Sequence, residues 1–186
     1  MNTTTLQTTD APASESRKLK PAPELRTKPL PVTFTISESG GSEKRRPNIA
    51  RGIRSLVDAV AMAMGLVNSR PADGTWIHVR AELQPPNRKG RKHRRQIEYA
   101  GVGCWKAGCF ASSLHAALEY ARKDLAKADR ELAMADQRFE WLQENFEGVD
   151  VVMKDDALKR AFFANDFAAG GARAIELGLV GSEVRS

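Results

Sequence analysis

"TWIHVRAELQPPNRKGRKHRRQIEYAGVG", residues 75 to 103, sets two strand-like stretches on either side of a run of cations. From Thr75 to Leu83 the residues alternate, with Ile77, Val79, Ala81 and Leu83 on one side and Trp76, His78, Arg80 and Glu82 on the other. Successive strand side chains point to opposite faces, so the pattern predicts a half-buried strand whose outer face is polar and carries an aromatic. Gln84-Pro-Pro-Asn87 ends it, and Gln96 to about Gly103 predicts a second strand with Ile97 and Tyr99 inward. A hairpin with a long charged tip is the simplest connection. Trp105 to Cys109 is read as a third short strand.

Upstream, Val32-Thr-Phe-Thr-Ile36 alternates in the same way and ends at Ser39-Gly-Gly-Ser42. Asn48 is then read as the N-cap of a helix that places Ile49, Ile53, Leu56, Val57, Val60 and Met64 on a core face and Arg51, Arg54 and Asp58 opposite. Residues 1 to 30 are rich in Thr, Ser, Pro and charge and poor in large apolar side chains. Such a stretch buries too little surface to offset its ordering entropy, which predicts a disordered tail.

Downstream, Ser112 or Ser113 is a suitable N-cap for one long helix. Its apolar series runs Leu114, Leu118, Ala121, Leu125, Ala128, Leu132, Ala135, Phe139, Leu142, Phe146, alternating steps of four and three with no Gly or Pro before Gly148. A row of small residues lies beside a row of large ones, and Tyr120, Met134 and Trp141 widen the stripe. The expected role is packing against the chain's own elements, with a homodimer through residues 112–146 where the helix projects. A further helix is predicted from Asp155 to Ala169, interrupted by Gly170-Gly171, and a last one from Ala172 to Leu177. The fold class predicted is α+β: a small antiparallel sheet packed with helices. After the tail, residues 31–186 are read as one domain, a basic strand module over 31–110 followed by an acidic helical part over 111–186.

The net charge of +6 is unevenly distributed: residues 1–50 carry +3, residues 51–110 carry +7 and residues 111–186 carry −4. Such asymmetry suits a polyanionic partner for the basic part. The basic run itself offers Arg88, Lys89, Arg91, Lys92, His93, Arg94 and Arg95, and Gly90 lets its backbone come close to a phosphate. Trp76, His78 and Arg80 on the outer strand face, and Lys44, Arg45 and Arg46 before Asn48, extend the candidate surface, with Arg51 and Arg54 beyond them. The expected partner is nucleic acid, DNA or RNA, held mainly by its backbone with weak sequence selectivity. The alternative is a regulator or inhibitor that docks on a protein or nucleoprotein complex. Its motivation is the row Glu140, Glu144, Glu147 and Asp150 near the end of the long helix, where the helix dipole disfavours negative charge.

No reaction is expected. Three histidines, at 78, 93 and 115, are too scattered to define a catalytic triad, and Glu82 with Glu98, read as facing each other across the hairpin beside Arg80, is a cross-strand charge pattern rather than a metal site. Cys104 and Cys109 with His93 and His115 would supply four zinc donors, but a C-x4-C spacing flanked by histidines matches no established ligand pattern. No cofactor is therefore expected, and both cysteines are read as free thiols. The longest apolar run, Ala59 to Val67, is short of the ~20 residues that span a bilayer. Without a basic and apolar leader at the N-terminus, a cytoplasmic location is the default.

The stretch Gly108-Cys-Phe-Ala-Ser-Ser-Leu-His-Ala-Ala-Leu-Glu-Tyr-Ala121, after strands that begin at Trp76, resembles the last strand and helix start of the three-strand-plus-helix DNA-binding fold of phage-integrase arm domains and plant ethylene-response regulators. It covers under a quarter of the chain, and the helix here is much longer than that fold's. The resemblance implies a DNA-binding sheet.

Overall fold

The computed structural model describes residues 18–40, 48–84, 98–109 and 113–181. Its elements are β1 (Val32–Ser39), β2 (Asn48–Ile53), α1 (Leu56–Ser69), β3 (Trp76–Leu83), β4 (Glu98–Lys106), α2 (Leu114–Asn145), α3 (Val149–Met153), α4 (Asp156–Ala164) and α5 (Phe167–Glu176). The class is α+β, with a four-stranded antiparallel sheet in the order β2-β1-β3-β4. The chain divides into two compact units, residues 26–134 and residues 1–25 with 135–186.

In the sheet unit the period of two in β3 decides which face is dry. Ile77, Val79, Ala81 and Leu83 are buried, together with Phe34 and Ile36 of β1 and Val102 of β4. Ala59, Ala63 and Val67 of α1 close over this layer, while Val60 and Met64, on the same helix, meet Ala117 and Ala121 of α2. Such burial stabilises by roughly 25 cal/mol for each Å² of apolar surface withdrawn from water.

The segment from Asn48 is a strand, correcting the predicted helix start. Gly52 adopts φ +71°, in the left-handed region that interrupts a helix, and the cap falls instead at Ser55, whose Oγ accepts from Asp58 N at 3.2 Å. Ile49 and Val57, expected in the core, are exposed. The 3.6-residue spacing of Ile49, Ile53 and Leu56 was carried across a strand and a turn.

β4 also differs from the expectation. It runs unbroken to Lys106, so Trp105 belongs to it rather than to a third strand. Tyr99, predicted inward, is 59% exposed, and Ile97 lies outside the described residues. The cause is a register shift between Val79 and Arg80: Val79 pairs with Gly103 and Arg80 with Gly101, leaving Val102 as the extra residue of a bulge. The bulge lets Ala100 and Val102 face the core on one side of it and Gly103 and Trp105 on the other. Gly103 is required there, because a Cβ on it would stand 2.0 Å from the Trp105 ring.

In the helical unit Trp141, Leu142 and Phe146 from the end of α2 pack with Val152, Leu158, Phe162, Ala174 and Val180. α5 runs straight through Gly170-Gly171, where an interruption was predicted. A Cβ on Gly170 would press on Trp141 at 3.2 Å and one on Gly171 on Leu19 at 2.7 Å, so the glycines serve close packing. The break falls earlier, at Asn165 with φ +58°, followed by Asp166 as the cap of α5. Asp155 caps α4 by accepting from Leu158 N at 2.8 Å, and both its oxygens accept from Arg173 of α5, at 2.7 and 3.2 Å.

α2 is one 32-residue helix capped by Ser113, whose Oγ accepts from Ala116 N. Its apolar stripe is not buried as one seam: Leu114 and Tyr120 are exposed, and Ala117, Ala121, Trp141 and Leu142 are buried. Residues 1–17 of the expected tail lie outside the described residues, whereas the chain is anchored from Lys18 onward. In the helical unit Lys18 bridges to Gly181, and buried Asn145 accepts from Lys20 N at 2.6 Å while donating to Lys20 O and Trp141 O. In the sheet unit Asp129 accepts from Leu30 N at 3.2 Å and pairs with Arg26 at 3.0 Å.

Two outcomes follow from this packing. Gly103→Ala should lower stability by about 1–3 kcal/mol through overlap with Trp105, while Gly101→Ala, which meets open space, should stay within about 0.5 kcal/mol of wild type in urea unfolding. The Arg173 guanidinium, with the Leu158 amide, holds Asp155 below its usual 3.8, at about 2. A carboxyl with a depressed folded pKa contributes stability above its unfolded value and loses it as pH falls through the folded one. Wild type should therefore lose melting temperature between pH 4 and 2 more steeply than Asp155→Asn, which keeps a capping oxygen without the charge. Parallel melting curves across that window would contradict the assignment.

Candidate nucleic-acid interface

The face of the sheet opposite α1 collects the polar side of each strand, and α2 borders it, with Tyr120 and Asp124 beside His78, Arg80 and Cys104. The centre is built from small hydroxyls, Thr35 and Ser37, which are buried by their neighbours. Around them stand Trp76, His78, Arg80 and Glu82 of β3 and Tyr99 and Cys104 of β4. Trp76 is 42% exposed and sits opposite Lys106 at one end of the β3–β4 pair, while Tyr99 sits opposite Glu82 at the other. Those positions are six steps apart along β3, a span of about 20 Å at the rise of a strand.

Local contacts fix several of these side chains. The Arg80 guanidinium lies 5.7 Å from the Tyr99 ring centroid, a cation–π geometry worth about 0.5–1 kcal/mol at an exposed site. Glu82 accepts from Thr35 Oγ1 at 2.6 Å and Thr33 Oγ1 at 3.4 Å, so its carboxylate is tied to β1. His78 Nε2 meets Ser39 Oγ. Glu82 is paired in register with Tyr99 and Glu98 with Leu83, which corrects the expected Glu82–Glu98 opposition: the two carboxylates do not form a cross-strand pair.

Of the residues singled out in the sequence, Trp76, His78 and Arg80 come together on this face. Arg51 and Arg54 are exposed on and just after β2. Arg88, Lys89, Arg91, Lys92, His93, Arg94 and Arg95, and Lys44, Arg45 and Arg46, lie outside the described residues. The described chain leaves β3 at Leu83 and resumes in β4 at Glu98, two positions paired in register, so the cationic segment departs from and returns to one end of this sheet pair. Tyr99 is the first residue after that return apart from Glu98.

Sequence reasoning missed three participants. Tyr99, expected on the inner side with Ile97, is turned outward by the bulge at Val102. Tyr120, read as widening the helix stripe, and Asp124, which the sequence did not single out, line a cleft with His78, Arg80, Gly101 and Cys104. A tyrosine at the margin of an apolar stripe was the available signal.

Neither Cys104 nor Cys109 forms a disulfide, and both are exposed. Among the described residues no three His, Cys, Asp or Glu side chains gather as a metal site, and His93 falls outside them. Among those residues, too, no helix is long and apolar enough to cross a membrane.

Comparison of the chain with protein-family models, with curated proteins and with solved structures finds no match. The resemblance to the integrase-arm and ethylene-response folds therefore rests on the local stretch from Gly108 to Ala121 alone, and the observed sheet has a fourth strand.

Proposed function

We propose that this protein binds nucleic acid without catalysing a reaction on it, the cations from Arg88 to Arg95 holding the phosphate backbone and the open sheet face meeting the bound strand. The observation that carries the reading is the juxtaposition of exposed Trp76 and Tyr99 with Arg80 on one polar face, at the end of which the cationic segment leaves and rejoins the sheet. Phosphate contacts supply affinity and salt dependence, and exposed aromatic rings supply stacking surface. The charge of +7 over residues 51–110 favours the same partner.

A second reading, docking on a protein, is favoured by the acidic surface at the end of α2. Glu140, Glu144, Glu147 and Asp150 are all exposed and have no ion-pair partner among the described residues.

The test is fluorescence-anisotropy binding of labelled single- and double-stranded DNA and RNA across a salt series. It compares wild type with a variant whose six Lys and Arg from Arg88 to Arg95 are replaced by Gln. If all six contact duplex phosphates, log Kd against log salt should have a slope of magnitude about 5, falling close to zero in the variant while circular dichroism is unchanged. Equal, weak binding by both proteins would overturn the reading. Loss of binding to a purified protein partner on neutralising Glu140, Glu144, Glu147 and Asp150, with the loop variant unaffected, would put the second reading in its place.

A further inference from the structure

Over the β3–β4 pair and against α2 lies a cleft of about 380 Å³ lined by His78, Arg80, Gly101, Cys104, Tyr120 and Asp124. From its chemistry we propose that it takes a single unstacked nucleobase, guanine in preference to the others, and so directs the protein to single-stranded nucleic acid. This rests on the nucleic-acid reading above and adds to it a strand state and a base.

Four features converge. First, the volume is at the low end of small-ligand sites, enough for one planar heterocycle and too small for a base pair in its stack. Second, β4 is an edge strand, and Gly101 has open space where a side chain would stand, so a ligand can reach the strand backbone. Third, Tyr120 in the cleft is 57% exposed and Tyr99 beside Arg80 is 59% exposed, leaving ring surface on which a base can stack. Unstacked bases are held on tyrosine rings and arginine planes, at about 1–3 kcal/mol for each stacked base.

Fourth, the cleft carries one anion and one cation, and neither Asp124 nor Arg80 has an ion-pair partner among the described residues. An ionised carboxylate only accepts hydrogen bonds, and a guanidinium only donates them. Guanine offers both counterparts: N1–H and the N2 amino group donate in parallel from one edge, and O6 and N7 accept on another, where arginine binds bidentately. Adenine and cytosine each present one amino group beside a ring acceptor that a carboxylate repels. Thymine and uracil place a single N–H between two carbonyls. The N1–H and N2 donors of guanine are engaged in a duplex, so the base must be unpaired to present them.

The test uses the full chain and fluorescein-labelled 12-nucleotide oligothymidylates with one central guanine, inosine, adenine or cytosine, each also as its duplex. The guanine strand should bind about tenfold more tightly than the adenine or cytosine strand, with inosine, which lacks the N2 amino group, in between. Asp124→Asn should erase that preference and Tyr120→Ala should weaken the guanine strand about tenfold. As a readout on unmodified protein, the guanine strand should slow alkylation of Cys104 in the cleft and leave that of exposed Cys109 unchanged. Binding that depends on the Arg88–Arg95 cations but is equal for all four bases, or tighter for the duplexes, would overturn the base site and leave the nucleic-acid reading standing. Absence of binding to every strand and duplex at low salt would overturn both.

Discussion

The strict alternation of β3 is the constraint on which the sheet unit depends. Ile77, Val79, Ala81 and Leu83 cannot turn outward without taking Trp76, His78, Arg80 and Glu82 into the core, because a one-residue slip exchanges the two faces. Its partners on both sides obey the same division. β1 places Phe34 and Ile36 beneath α1, and β4 follows once its bulge has absorbed Val102. One face is thus committed to stability and the other is free to carry charge and aromatic rings.

That division was legible in the sequence wherever a simple period ran unbroken. The β1 and β3 alternations and the long helix from Ser113 emerged with nearly their observed limits, because nothing between their ends competes with the period. Legibility failed where a single residue changed the geometry. Gly52 with positive φ ended a pattern that looked helical across Asn48 to Leu56, and the bulge at Val102 reversed the facing of Tyr99. Gly170-Gly171 read as a break because glycine weakens a helix, yet here it admits Trp141 and Leu19. The segment from Lys18 to Leu30 was opaque for a different reason. Its backbone is held by the side chains of Asn145 and Asp129, more than ninety positions away, and composition carries no trace of such partners.

The candidate site was legible in part. Trp76, His78 and Arg80 were placed on the outer strand face by alternation alone, and the structure brings them together. The cleft was not legible, since it needs α2 to carry Tyr120 and Asp124 to β4, a tertiary placement that a helix stripe cannot specify. Under the nucleic-acid proposal, the antiparallel β3–β4 pair would hold both ends of the cationic segment, and a scaffold ordered before binding loses less freedom on association.

The three tryptophans allow the central claim, that the open sheet face meets nucleic acid, to be tested in one titration. Trp76 is 42% exposed on that face, Trp105 is packed among the core residues under α1, and Trp141 is 1% exposed in the helical unit. Their indole N–H resonances would be followed by nitrogen-15 nuclear magnetic resonance as a single-stranded oligonucleotide is added. The account predicts that the Trp76 resonance moves progressively to saturation while that of Trp141 stays in place. A Trp76 resonance unmoved at saturation, or a response confined to Trp141, would contradict it.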